Sequence, residues 1–96
     1  MNQIYLVGRI NRKITFTNYA NGRQEAKSEI AVNRLDRNEI DYIPFKVSKY
    51  GVYEQLKDYK KDDFIGIKGS LRFEKNKLFV DVHSIIKGGI SDINED

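Results

Sequence analysis

Apolar and polar residues alternate along most of this 96-residue chain, and only once, from Tyr50 to Lys61, does the apolar spacing lengthen to that of a helix. A chain patterned this way has to bury strand faces, with one helix to help. From Asn2 to Ile10 both alternations are apolar, Ile4, Leu6 and Ile10 on one side and Tyr5 and Val7 on the other, which predicts a strand covered on both faces. Asn11, Arg12 and Lys13 interrupt the run before Ile14 to Thr17 resume it, so the strand continues through a bend. Asn21-Gly22, inside Asn18 to Arg23, is a hairpin signal.

The next strand, Glu25 to Arg34, turns Ser28, Ile30 and Val32 inward and Lys27, Glu29 and Asn33 outward, and Leu35 to Glu39 reads as a charged loop. Ile40 to Ser48 divides into an apolar face of Ile43, Phe45 and Val47 and a face carrying Tyr42, Pro44, Lys46 and Ser48; the proline places this strand near an edge or at a bulge. The helical stretch places Val52, Leu56 and Tyr59 at i, i+4 and i+7, with Ser48 as its candidate N-cap. Phe64 to Phe73 turns Ile65, Ile67 and Leu71 inward, with Lys68, Ser70 and Arg72 outward. Past a polar tip at Glu74 to Lys77, the last strand carries Leu78, Val80 and Val82 inward and Phe79, Asp81 and His83 outward, ending near Ile86.

Strand, strand, strand, helix, strand, strand, with glycines that permit coiling, fits an all-β, five-stranded Greek-key barrel of the oligonucleotide-binding (OB) type, its helix plugging one end between the third and fourth strands. An open α+β sheet with one covering helix is the alternative. The barrel takes residues 1–88, and residues 89–96 form a short acidic tail. With no cysteine there is no disulfide framework, thiolate nucleophile or thiolate metal site, and no cofactor is expected. No apolar run nears the roughly 20 residues of a membrane span, and Met1 to Ile10 lacks the shape of a cleaved signal, so a cytoplasmic protein is expected. One histidine and no serine in a nucleophile motif speak against an enzyme.

The formal charge of +3 understates the body of the chain. Three of the 14 acidic residues, Asp92, Glu95 and Asp96, fall in the last six positions, leaving 17 basic groups against 11 acidic ones before them. That excess favours a polyanionic partner. Aromatics interleaved with basic residues fit a single nucleic-acid strand: the outward Tyr42 first, then the outward Phe79, Phe73 with Leu71's inward parity but at the strand end beside the basic tip, and Tyr50 at the start of the helix as stacking platforms, with Lys46, Lys68, Arg72, Arg34, Lys49, Lys75, Lys77, Arg9, Arg12 and Lys13 tracking phosphates. Each of these also has a plain structural reading, as a surface charge, a packed ring or a subunit contact.

Several segments resemble, in order, the bacterial and phage single-stranded DNA-binding proteins: Asn2 to Ile10 with its Gly-Arg-Ile close, Tyr19-Ala-Asn-Gly22 followed by Ala26 to Arg34, Asp41-Tyr-Ile-Pro-Phe-Lys-Val47, Leu56 to Lys61, Gly66 to Arg72 and Asp81-Val-His83. The resemblance covers residues 2 to about 87. It implies an OB barrel that forms a homo-oligomer, tetramer or dimer, through the opening strand (Ile4, Tyr5, Leu6, Val7), and that holds single-stranded DNA without sequence preference in replication, recombination or repair. The chain departs from the family pattern in having Ser48 where another binding aromatic is expected, no tryptophan, and an end at Ser-Asp-Ile-Asn-Glu-Asp96 without the acidic tip closing on Pro-Phe, so recruitment of replication proteins by that route is not expected. A shorter relative of the same fold, the primosomal replication protein, gives the alternative of an accessory module acting mainly through protein partners.

Overall fold

Because each strand in the chain has one apolar and one polar face, the sheet can hide its apolar side only by curling onto itself, and it does. The computed structural model describes residues 1–86. Six strands, β1 (Ile4–Ile10), β2 (Thr15–Asn18), β3 (Gln24–Asn33), β4 (Ile40–Val47), β5 (Phe64–Glu74) and β6 (Lys77–Ile85), surround one helix, α1 (Tyr50–Leu56). The sheet order is β1-β5-β6-β4-β3-β2, and β1 also pairs with β3, which closes β1, β5, β6, β4 and β3 into a five-stranded barrel. All neighbours are antiparallel except β4 and β6, whose short parallel contact joins Phe45 to Val80 and Lys46 to Asp81. The predicted bend after Ile10 is present, and beyond it the chain returns as β2, paired only with β3. The helix expected between the third and fourth strands therefore lies between β4 and β5.

Inside the barrel Ile10, Ala26, Ile30, Phe45, Val47, Ile65, Ile67, Val80 and Val82 meet, and Val52, Tyr53 and Leu56 of α1 seal one end. Phe16 meets the Tyr53 ring edge-on at 5.3 Å, tying β2 to that plug. Closure needs a glycine at position 8: a Cβ there would collide with the Ala31 carbonyl of β3. Pro44 lies on the stretch of β4 just before its pairing with β6 begins, where the missing N–H leaves no ladder incomplete.

Four local expectations change. Lys49, not Ser48, is the helix N-cap, and no side chain caps it. The chain enters the helix one residue later, and the Lys49 carbonyl accepts the first helical bond, from the Tyr53 N–H at 2.9 Å. The helix is also shorter than its periodicity, because Lys57, Asp58 and Tyr59 each donate to the carbonyl three residues back, tightening the end into turns. Tyr59 still packs on the core from beyond the helix. Leu71 and Leu78, inward by parity, are exposed, since the β5–β6 hairpin runs past the barrel rim and leaves nothing for that face to cover. Finally, Ile4 and Leu6 pack on the barrel core, so of the opening-strand residues only Tyr5 and Val7 belong to the outer face. The acidic tail and its boundary lie outside the described residues.

Candidate nucleic-acid interface

Two hairpins flank the outer face of β4 and β6. On one side the β2–β3 turn is held by backbone bonds from Tyr19 N to the Arg23 carbonyl and from Gly22 N to the Tyr19 carbonyl, with Gly22 at φ +87°. On the other, the β5–β6 hairpin turns through Lys75 and Asn76, both at positive φ, as a two-residue hairpin turn of the right twist requires. Between them lie two adjoining clefts of about 650 and 500 Å³ that share Arg23, Glu25, Lys46, Glu74 and Phe79. Ser48, Tyr50, Arg72 and Asp81 line the first, and Tyr19, Pro44, Lys75, Lys77 and Leu78 the second.

The divider is a strap. Lys46 reaches from β4 to the hairpin, its Nζ 2.8 Å from Glu74 Oε1 and 4.3 Å from the centre of the Phe79 ring. Phe79 thus stands on the outer face, as its parity predicts, but is only 8% exposed because Lys46 roofs it. A hydrogen bond from Lys46, reinforced by its charge, holds the Glu74 carboxyl below the usual carboxylate range, so the strap stays ionic at ordinary pH. Two other strand cations of the groove are paired as well, Arg72 with Asp81 at 3.4 Å and Lys27 with Glu25 at 3.5 Å, whereas Lys77 of β6 forms no ion pair among the described residues. Glu25 is almost fully buried and accepts a 2.9 Å hydrogen bond from the Tyr19 hydroxyl, and the Arg23 guanidinium lies over the Tyr19 ring at 5.1 Å.

The other three aromatics expected to stack stand in three different places. Tyr50, 69% exposed, stands at the end of the first cleft. Tyr42, 54% exposed, shares the Lys46 face of β4 but lies beyond the cleft walls, opposite the small Ala31 of β3. Phe73, 74% exposed, is paired with Leu78 across the protruding hairpin, on the face opposite Phe79.

The expected phosphate contacts scatter more widely. Lys46, Arg72 and Lys75 line the clefts, whereas Lys49 and Lys68 line a separate pocket around His83. Arg34 is held in the β3–β4 loop by Asp41, which accepts from Nη2 at 3.0 Å and from Nε at 3.1 and 3.2 Å, and it lies 3.5 Å from Glu39; the Asp41 carboxyl is lowered by that bonding. Arg9 lies over Phe64 at 4.2 Å and Arg12 pairs with Glu29 at 3.3 Å, both away from the clefts, and Lys13 is exposed in the bend after β1. Sequence reasoning missed the acids Glu25, Glu74 and Asp81 as members of the site. Nothing in the local pattern marks them, since each meets its cation only through the fold.

Residues 1–79 match the model of the single-strand binding protein family. No curated protein sequence matches the chain. Among solved structures it is similar to the dimeric N-terminal domain of the PriB protein from Thermoanaerobacter tencongensis, at 26% identity and a TM-score of 0.73 over 88% of this chain and 92% of that one. The SSB domain of a Synechococcus sp. protein is 15% identical with a TM-score of 0.77, covering 88% of this chain and 93% of that one. The mitochondrial single-stranded DNA-binding protein Rim1 of S. cerevisiae is 19% identical with a TM-score of 0.75, covering 88% and 90%. The last two likenesses are of fold. Among the described residues no helix is long and apolar enough to cross a membrane.

Proposed function

This chain belongs to the single-strand binding protein family, and we propose that it binds single-stranded DNA irrespective of sequence, coating exposed strands in replication, recombination or repair without catalysing a reaction. The observation that carries the reading is a basic groove walled by two hairpins together with exposed aromatic rings: Tyr50 at the end of the groove, Tyr42 farther along the same face of β4, and Phe73 on the far face of the β5–β6 hairpin. In OB folds this face and these loops take oligonucleotides. A ring offers stacking to any base, and lysines and arginines offer charge to any phosphate, so neither reads sequence. In the same reading the chain forms homo-oligomers in the cytoplasm, and the outward Tyr5 and Val7 of β1, beside the exposed Phe64 of β5, supply apolar surface for a subunit contact. A second reading, an accessory replication module acting through protein partners, is favoured by the likeness to the PriB domain.

With six tyrosines and no tryptophan, intrinsic emission reports on tyrosine alone. Titration with a thymidine oligomer at two salt concentrations, with duplex DNA as competitor, is expected to quench that emission in a salt-sensitive way that the duplex does not reverse. Tyr42→Ala is expected to weaken binding by about 1–3 kcal/mol, and Tyr42→Phe much less. Absence of binding at low salt would remove the coating function. Binding that Tyr42→Ala leaves unchanged would favour the accessory reading.

A further inference from the structure

We propose that the pocket around His83 is a second anion subsite, which takes a backbone phosphate of the bound strand where that strand leaves the groove. The inference rests on the strand-binding function proposed above. It begins with an irregularity in the β5–β6 ladder: Lys68 pairs with Ser84, but the next residue, Gly69, pairs with Val82, so His83 is the extra residue of a bulge. Bulges re-aim a side chain out of the regular alternation. The two strands come close enough to form this one only because position 69 has no side chain; a Cβ there would collide with the Asp81 carbonyl.

The bulge is braced. Ser70 Oγ lies 2.9 Å from His83 Nε2 and 3.0 Å from the Asn2 carbonyl oxygen. A carbonyl only accepts, so the single hydroxyl proton of Ser70 goes to Asn2, and the imidazole must donate from Nε2 to Ser70 Oγ. Asn2 is fixed in turn, its side chain bonding the N–H and carbonyl of Leu71 at 2.9 and 2.8 Å. The ring is thereby held in one orientation and one tautomer on an exposed face.

What surrounds it differs in kind from the groove. The pocket, of about 370 Å³, has Lys49, Lys68, His83, Ser70, Asn2 and Gln3 in its wall and no carboxylate. Lys27, Lys46 and Arg72 on the strands of the groove each have an acidic partner, whereas among the described residues neither Lys49 nor Lys68 forms an ion pair. The charged and titratable groups nearest the ring's surroundings are Lys68 from β5, Lys49 ahead of α1, Tyr5 of β1 opposite Lys68, and Asp81 of β6, whose carboxylate is engaged by Arg72 at 3.4 Å. Ammonium groups and amide N–H donors, beside an imidazole whose Nε2–H is held by Ser70, suit an anion with several oxygens. The position identifies the anion. Ser70 is two residues from Arg72 on the same face of β5, about 7 Å on, and Lys49 lies between Ser48 and Tyr50, which line the first cleft. A strand in the groove reaches this pocket with its next phosphates.

His83 is the only histidine, so its imidazole gives a single, unambiguous Cε1–H signal in proton NMR. That signal is followed from pH 5 to pH 8 in the free protein and with saturating thymidine oligomer, binding being monitored independently by tyrosine quenching. The expected result is a titration midpoint that rises when the oligomer is bound. Lys68→Gln, an exposed substitution, is expected to reduce the slope of log affinity against log salt by about 0.7, the loss of one neutralised phosphate. Quenching accompanied by an unmoved His83 signal, or by an unchanged slope in Lys68→Gln, overturns the subsite alone. Absence of quenching overturns the strand-binding function and the subsite together.

Discussion

Glu74→Gln is expected to make strand binding more salt-sensitive, by an amount that follows from the strap. In the free protein the Lys46 ammonium is 2.8 Å from the Glu74 carboxylate. Lys46 itself holds that carboxyl below its usual range, so the bridge persists throughout the pH range of a binding assay. A cation satisfied by its own protein does not neutralise a phosphate, and so displaces no counterion from the strand. Replacing Glu74 by glutamine keeps the side chain's shape and frees Lys46 for one phosphate. For single strands each neutralised phosphate adds about 0.7 to the slope of log affinity against log salt. Over a fourfold rise in salt, from about 50 to about 200 mM, the variant should therefore lose roughly 2.6 times more affinity than the native protein. Fluorescence titrations with a thymidine oligomer at four salt concentrations measure both slopes, and Glu39→Gln, in the β3–β4 loop away from the clefts, is the control for removing a carboxylate. Parallel lines for Glu74→Gln and the native protein would refute the reasoning, because they would mean that phosphate displaces Glu74 unaided or never meets Lys46.

Two glycine substitutions should move stability in opposite directions. Gly8→Ala drives a Cβ into the Ala31 carbonyl where β1 closes on β3, and should cost about 1–3 kcal/mol, whereas Gly51→Ala, in the first turn of α1 with open space at its Cβ, should add about 0.5–1 kcal/mol; thermal unfolding followed by circular dichroism reads both. Asp41→Asn tests the Arg34 clamp through pH. The native carboxyl is lowered, so its contribution is present above the unfolded carboxylate value of about 3.9 and is lost as pH falls through the folded value. The variant should be less stable than the native protein near neutrality and equal to it in strong acid; a difference that persists in acid would show that the loop is held by something other than the charge.

The architecture was legible because alternation and helical spacing are local properties. Phe45, Val47, Ile65, Ile67, Val80 and Val82 face the core as their parity dictates, and Val52 and Leu56 plug the barrel as their spacing dictates. Parity reports which face a residue belongs to, but not whether anything covers that face. Leu71, Phe73 and Leu78 share the core-facing parity and are exposed because the hairpin outruns the barrel. Phe79 shows the converse: it has the outward parity and is covered, by a lysine from a strand that reaches it only through the parallel contact closing the Greek key. The acids of the groove and the bulge at His83 were invisible for a related reason. An ion pair such as Arg72 with Asp81 and a register shift between Lys68 and Gly69 are properties of two strands together.

The pairing of the groove's cations bears on how a basic protein tells a single strand from a duplex. Both offer phosphates, and the duplex offers them at higher density, so a groove of unpaired lysines would favour the duplex. Here Lys27, Lys46 and Arg72 already have carboxylates within 3.5 Å, so an exchange of carboxylate for phosphate gains little by itself. Arg23, Lys75 and Lys77, which form no ion pair among the described residues, attract either form of DNA, so preference for a single strand has to come from contacts that a duplex cannot make, because its bases are stacked on one another: the faces of unstacked bases against Tyr42, Tyr50 and Phe73, and against Phe79 once the strap moves aside. Paired cations keep the groove wet, shaped and oriented toward phosphate, while the rings set the affinity. Removing a ring should therefore reduce discrimination against duplex, and removing an acid should reduce it too, by making phosphate alone sufficient. The ratio of single-strand to duplex affinity, measured for Tyr42→Ala and for Glu74→Gln at one salt concentration, should fall in both variants. A ratio that rises on loss of Glu74 would show that the acid restrains strand binding more than it excludes the duplex.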